Sequence, residues 1–218
     1  MSPGRALLLG AGAALAYGLG VRRRVLEWGA TRPEAAARLP GDELLENPDG
    51  VSTRAITIAA APGAVWPWLV QMGPRPRAGA YTYDWIERLL GLDMRSSEEI
   101  LPEFQYPRLG DTIAFGSNTM RLDLLEPPRA LAFRSQDGNW LWSFNLRDVP
   151  EGTRLISRNR YRLPSPAAKL GMLALEPGSL VMERRMLQGL RERAERTPPP
   201  AVAAGSRAGA EVPPASSG

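Results

Sequence analysis

Asn139-Trp140-Leu141-Trp142-Ser143-Phe144-Asn145-Leu146 is the stretch on which the fold turns. Trp140, Trp142, Phe144 and Leu146 recur at every second position, the period of a β-strand with one apolar face. Three aromatic side chains on one side of one strand exceed what a flat sandwich uses. A curved sheet wrapped around an apolar interior accommodates them better.

Outward from that strand, similar short segments follow one another: 111–115, 119–126, 129–134, 139–147 and 153–163. Turns carrying Gly116-Ser117-Asn118, Pro127-Pro128, Asp137-Gly138 and Glu151-Gly152 separate them. Connections this short imply an antiparallel meander. Its inward sets are read as Met120, Leu122 and Leu124; Leu131 and Phe133; Trp140, Trp142 and Phe144; and Leu155, Ser157, Asn159 and Tyr161. Arg154, Arg158, Arg160 and Arg162 fall on the other face of the last segment, read as solvated.

Before the meander, 51–59 reads as a first strand with Arg54, Ile56 and Ile58 alternating against Ala55 and Thr57. Pro62 suits the first turn of a helix over 62–70 with Val65, Trp66, Leu69 and Val70 on its apolar side. A Pro/Gly loop over 72–79 leads to a second short helix over 83–90, which Gly91 ends. After the meander, 167–196 is helical, with Leu180, Val181, Met182, Met186, Leu187 and Leu190 as its apolar stripe. Pro177-Gly178 is expected to divide it.

The 218 residues suffice for one domain of about 150 residues with a full core, plus tails. Cysteine and histidine are both absent, which excludes disulfides, zinc–thiolate sites, thiol nucleophiles and Ser-His-Asp chemistry. The net charge of +4 is modest and scattered, with Lys169 the only lysine, and gives no argument for nucleic acid. The arginine, alanine, glycine and proline bias reads as a GC-rich bacterial genome. Carboxylates are dispersed, and Glu98-Glu99, the closest cluster, makes a poor metal cage.

Residues 6–21 carry no charge, follow Arg5 and precede Arg22-Arg23-Arg24. Gly10, Ala14 and Gly18 lie four apart, the small-residue spacing of packed membrane helices. The run falls just short of the roughly 17–25 residues that span a bilayer. Membrane anchor, interfacial helix and signal peptide all remain open, and an anchor would favour placing the domain in the cytoplasm, held at the inner membrane. Gly10-Ala11-Gly12 is not a dinucleotide fingerprint, because its third small position is Leu15 and no strand–helix unit surrounds it. The organisation expected is therefore 1–24 apolar segment, 25–50 connector, 51–196 domain and 197–218 disordered tail.

Ala55-Ile56-Thr57-Ile58-Ala59-Ala60-Ala61-Pro62, running into Val65-Trp66-Pro67-Trp68-Leu69-Val70-Gln71-Met72-Gly73, resembles the opening of the START-like (SRPBCC) superfamily. That group includes the Bet v 1 allergens and the polyketide cyclase/dehydrase-type proteins. Tyr81-Thr82-Tyr83-Asp84-Trp85, Leu109-Gly110-Asp111, Leu125 to Leu131 and Val181-Met182-Glu183-Arg184 are similar to its actinobacterial members. The resemblance covers residues 51–196. It implies an α+β helix-grip fold, in which a curved antiparallel sheet of about six strands wraps a long C-terminal helix. It also implies an apolar cavity between the two.

On this reading the pocket is lined by Trp66, Tyr81, Tyr83, Leu122, Phe133, Trp140, Trp142, Phe144, Asn159, Tyr161, Met182 and Met186. Flexible methionine with rigid tryptophan suits an adaptable apolar site. The expected function is non-catalytic binding of a hydrophobic small molecule or lipid, with no cofactor and no metal. Residues 6–21 would supply any membrane contact. A cyclase/dehydrase-like enzyme is the alternative, with acid–base work falling to Tyr81, Tyr83, Asp84 or Glu183 and with Asn159 or Tyr161 orienting a carbonyl. In that view Asp84 otherwise caps a helix or pairs with an arginine, and Glu183 otherwise pairs with Arg184 or Arg185 outside the pocket. A membrane-located scaffold is the third reading, its arginine face meeting a partner.

Overall fold

The computed structural model describes residues 17–116 and 118–196. The apolar run before residue 17 and the tail after residue 196 lie outside the described residues. A π-helical turn, Tyr17–Val21, leads into α1 (Arg22–Leu26), then α2 (Arg32–Ala36) and β1 (Gly50–Ile58). Two short helices follow, α3 (Pro62–Val70) and α4 (Asp84–Leu89). The meander is β2 (Thr112–Phe115), β3 (Asn118–Glu126), β4 (Ala130–Ser135), β5 (Trp140–Val149) and β6 (Gly152–Tyr161), and α5 (Pro166–Arg196) closes the fold.

All six strands form one antiparallel sheet in the order β1-β6-β5-β4-β3-β2. Only β1 departs from sequence order, pairing with β6 from Gly50↔Tyr161 to Ile58↔Thr153. The helices α3 and α5 fill its inner face, where Val65, Trp68 and Leu69 meet Phe144, Leu155, Met186, Leu187 and Leu190 in one core. This is the helix-grip arrangement.

Register explains one departure from the period-two reading. The β3–β4 ladder shifts between Leu122 and Leu124, so Leu122 opposes Phe133 but Leu124 opposes Ala132. The extra residue of a bulge flips every side chain beyond it to the other face. Leu125 therefore packs toward the inner core, while Leu124 joins Leu45, Ala132 and Leu141 on the outer one.

The outer face is not solvated. The chain from Trp28 to Asp49 lies across it, with Leu39 against Ala55 and Ile156. The arginines of β6 hold this strap. Arg154 donates to both Glu34 carboxylate oxygens at 2.7 and 2.8 Å. Arg158, 2% exposed, pairs with Asp42 at 2.7 Å and donates to the carbonyls of Glu34, Ala35 and Ala37. Arg160 reaches Asp42 at 3.3 Å and the Leu45 carbonyl at 3.0 Å. A capping box between Thr31 and Glu34 fixes the start of α2, so Glu34 serves cap and ion pair together.

Two expectations for α5 are also corrected. It is continuous through Pro177, and just beyond it Ser179 Oγ donates to the Glu176 carbonyl at 2.9 Å. Val181 faces solvent, so the inward stripe follows Met182, Met186, Leu187 and Leu190 instead.

Candidate functional site

Along β5 the inner face grades from core to cavity. Leu146 and Phe144 are buried in the common core, whereas Trp142 and Trp140 are half-buried at its margin. Trp140 and Trp142 stack with centroids 6.1 Å apart, and Trp142 tilts against Phe144 at 4.8 Å. Each indole is anchored to β6: Trp140 Nε1 donates to Asn159 Oδ1 and Trp142 Nε1 to Ser157 Oγ, both at 2.9 Å. Register sets these bonds, since Trp142 opposes Asn159 and Phe144 opposes Ser157 across the β5–β6 ladder.

The tryptophans form one wall of a cavity of about 590 Å³. The opposite wall is the inward face of α5: Met172, Glu176, Ser179, Met182, Glu183 and Met186. These positions recur at three and four residues, one stripe of an α-helix. Leu26 of α1 closes one edge, and Ala80, Thr82, Glu87, Leu92 and Met94 close another. A volume of this size is that of a site for a molecule of a few hundred daltons. A second inner hollow, between Val70, Arg77, Leu122 and Phe133, holds only about 20 Å³, room for a single water.

Six of the side chains expected in the pocket share this cavity: Trp140, Trp142, Asn159, Tyr161, Met182 and Met186. The other six lie elsewhere. Trp66 and Phe144 are packed into the core, and Leu122 and Phe133 border the small hollow. Tyr81 is buried, its hydroxyl accepting from Gln71 Nε2 at 2.9 Å and donating to the Trp68 carbonyl at 3.0 Å. Burial pushes that phenol up in spite of the nearby Arg193 and Arg77 guanidiniums. Tyr83, at the start of α4, is exposed.

The polar groups of the cavity are arranged in pairs. Glu183 does not turn outward to Arg184 or Arg185; it forms a buried ion pair with Arg54 of β1. Arg54, 1% exposed, also donates through Nε to the Val25 carbonyl at 3.1 Å and through Nη2 to Ser179 Oγ at 2.9 Å. Asn159 Nδ2 donates to Glu183 Oε2 at 3.3 Å, and the Ser157 hydroxyl lies near the carboxyl. Desolvation raises the Glu183 carboxyl, and the Arg54 charge only partly opposes it. One helical repeat earlier, Glu176 is held by Arg22 at 2.7 Å and by the Tyr17 hydroxyl at 3.0 Å. Tyr17 is pushed up to about 12 by burial and by that carboxylate. The N-terminal turn is thus pinned to α5 beside the cavity.

Asp84 does not cap the helix as expected; Tyr83 stands at the cap position. Asp84 begins α4 and accepts from Ser96 N at 2.9 Å and Ser96 Oγ at 2.6 Å. Sequence reasoning missed Glu87, one turn on. Its carboxyl is 5% exposed, borders the cavity and leaves Oε2 without a hydrogen bond. Burial raises it first, and the Asp84 charge adds to this; the nearby Thr82 hydroxyl opposes both. Among the described residues no cluster of acidic side chains is arranged to hold a metal, and no helix is long and apolar enough to cross a membrane.

No protein family and no curated protein matches the chain. Solved structures do. A protein from Mesorhizobium loti is 16% identical with a TM-score of 0.43, covering 68% of this chain and 99% of its own. A polyketide-cyclase-like protein from Corynebacterium glutamicum is 15% identical with a TM-score of 0.36, over 67% and 89%. The Aha1 dimer from Colwellia psychrerythraea is 15% identical with a TM-score of 0.42, over 67% and 97%. Likenesses of this order transfer neither ligand nor reaction.

Proposed function

We propose that the chain binds a hydrophobic small molecule between its curved sheet and α5, without catalysing a reaction. The observation that carries this reading is the cavity of about 590 Å³ walled by Trp140, Trp142, Met172, Met182 and Met186. Rigid indoles supply apolar area at low entropic cost, and unbranched methionines adapt to the shape of the guest. Burying a ligand there removes apolar surface from water on both sides, at about 25 cal/mol per Å². Tyr81 is engaged in the core, Tyr83 is exposed at the start of α4, Asp84 is bonded to Ser96, and Glu183 is paired with Arg54, which supports binding over acid–base chemistry on a guest.

Native mass spectrometry of the full chain, followed by solvent extraction, tests the proposal. The expected result is a co-purifying molecule of a few hundred daltons, or uptake of an added apolar one, with occupancy falling in Trp142→Ala. A clean mass that takes up no fatty acid, alcohol, amine or aromatic polycycle overturns it.

A further inference from the structure

Of the three acids on the cavity wall, Glu176 and Glu183 are matched by cations and Glu87 is not. Glu183 is paired with Arg54 and Glu176 with Arg22. Arg162, the other cation on the wall, donates to the Glu46 carbonyl at 2.8 Å. Glu87 and Asp84, three residues apart on α4, are in no ion pair among the described residues. Asp84 at least has two hydrogen bonds from Ser96. Glu87 Oε2 and Thr82 Oγ1 have no partner beyond each other: the Thr82 hydroxyl lies against the Glu87 carboxyl, and both residues border the cavity.

The helix that carries Glu87 is built against its own pattern. Trp85, Leu89 and Leu90 face solvent at 62%, 79% and 69% exposure, while the carboxyl between them is turned inward. Burying an acid and exposing three large apolar side chains is unfavourable for folding alone. Local rules broken in this way mark functional positions.

We propose that Glu87 is the polar anchor of the cavity and that its guest is an apolar molecule ending in an ammonium group, a long-chain or polycyclic amine. This rests on the binding reading above and names the ligand class. An ammonium supplies what Thr82 cannot: a cation for the carboxylate, with N–H donors left over for Thr82 Oγ1. The stacked Trp140–Trp142 pair then covers the apolar body, and its π-faces favour a neighbouring cation. A fatty acid would instead place a second carboxylate beside Glu87 and Asp84, which is repulsive.

The test compares three probes of one chain length, decylamine, decanol and decanoate, titrated into the full chain with tryptophan fluorescence as readout. Decylamine is expected to bind at least about tenfold more tightly than decanol, a charge-assisted bond's worth, with decanoate the weakest. In Glu87→Gln, amine and alcohol are expected to converge to within about threefold, circular dichroism checking the fold. Equal or tighter binding of decanol or decanoate to the wild-type chain overturns the inference without recourse to the variant. An amine preference that survives Glu87→Gln overturns it too. If none of the three binds the wild-type chain, the inference falls, and the binding reading falls with it only when mass spectrometry also shows no uptake of an aromatic polycycle.

Discussion

Breaking the Arg54–Glu183 pair from its two sides has different consequences, because only one partner is able to shed its charge. In Glu183→Leu the Arg54 guanidinium stays charged and keeps only its bonds to the Val25 carbonyl and Ser179. Removing one member of a buried pair costs about 3–5 kcal/mol, and arginine does not deprotonate, so this loss is flat with pH. In Arg54→Met the stranded Glu183 takes up a proton instead. For a carboxyl of ordinary pKa 4.5 this costs about 3.4 kcal/mol at pH 7, at about 1.36 kcal/mol per pH unit. At pH 5 the same step costs only about 0.7 kcal/mol. The lost contacts of the arginine stem add a term that does not depend on pH. The sign follows from the loss of the guanidinium that holds the carboxyl down. Glu183 is already raised in the wild-type chain, and Arg54→Met raises it further above its unfolded value, so the added penalty is full above the variant's folded value and fades as pH falls toward the unfolded one. Urea unfolding followed by tryptophan fluorescence at pH 5 and pH 7 reads both variants and the double variant. The expected result is a deficit for Arg54→Met that shrinks by at most about 2–3 kcal/mol at pH 5, a deficit for Glu183→Leu that does not shrink, and a double variant far milder than the sum of the two. Parallel pH dependence, or additive losses, refutes the reasoning.

Two further outcomes follow from the packing. Glu34, lowered to about 2 chiefly by the Arg154 guanidinium, contributes stability that is present above its ordinary 4.5 and lost as pH falls toward 2. Glu34→Gln is expected to flatten that acid limb of the melting temperature by the equivalent of about 1 kcal/mol after solvent screening; an unchanged limb refutes the role of the strap. Gly189 lies where α5 crosses the Tyr81 backbone, and a Cβ there would stand 2.5 Å from the Tyr81 carbonyl oxygen. Gly189→Ala gains about 1 kcal/mol of helix propensity and loses about 2–3 kcal/mol to the clash, so a lowered urea midpoint is expected and a raised one contradicts the close approach.

Much of the fold was legible because the inner face obeys simple periods. The alternation of Trp140, Trp142 and Phe144 located β5, and the turn residues located its neighbours within a residue or two. Leu124 escaped because a bulge has no marker in the pattern of apolar residues; Asp123 between two leucines reads as ordinary alternation. The continuity of α5 escaped because Pro177 is a local veto that packing overrode.

The site was half legible, and the missing half is electrostatic. Periodicity finds apolar walls, so Trp140, Trp142, Met182 and Met186 could be named. It assigns charge to the surface, so Arg158 and Arg160 on the strap side, and Arg54, Glu176 and Glu87 on the cavity side, were placed in water or left unassigned, and Glu183 was named without its partner Arg54. Arg54 nevertheless shared a face with Ile56 and Ile58 in the sequence, and a strand that alternates arginine with isoleucine must bury its guanidinium or expose its core. Burial then demands a carboxylate, and α5 supplies one on its inward stripe. Applied to Glu87, the same demand finds no cation among the described residues. The matched pairs hold the fold together, and the unmatched acid is the position at which the proposed guest is to be sought.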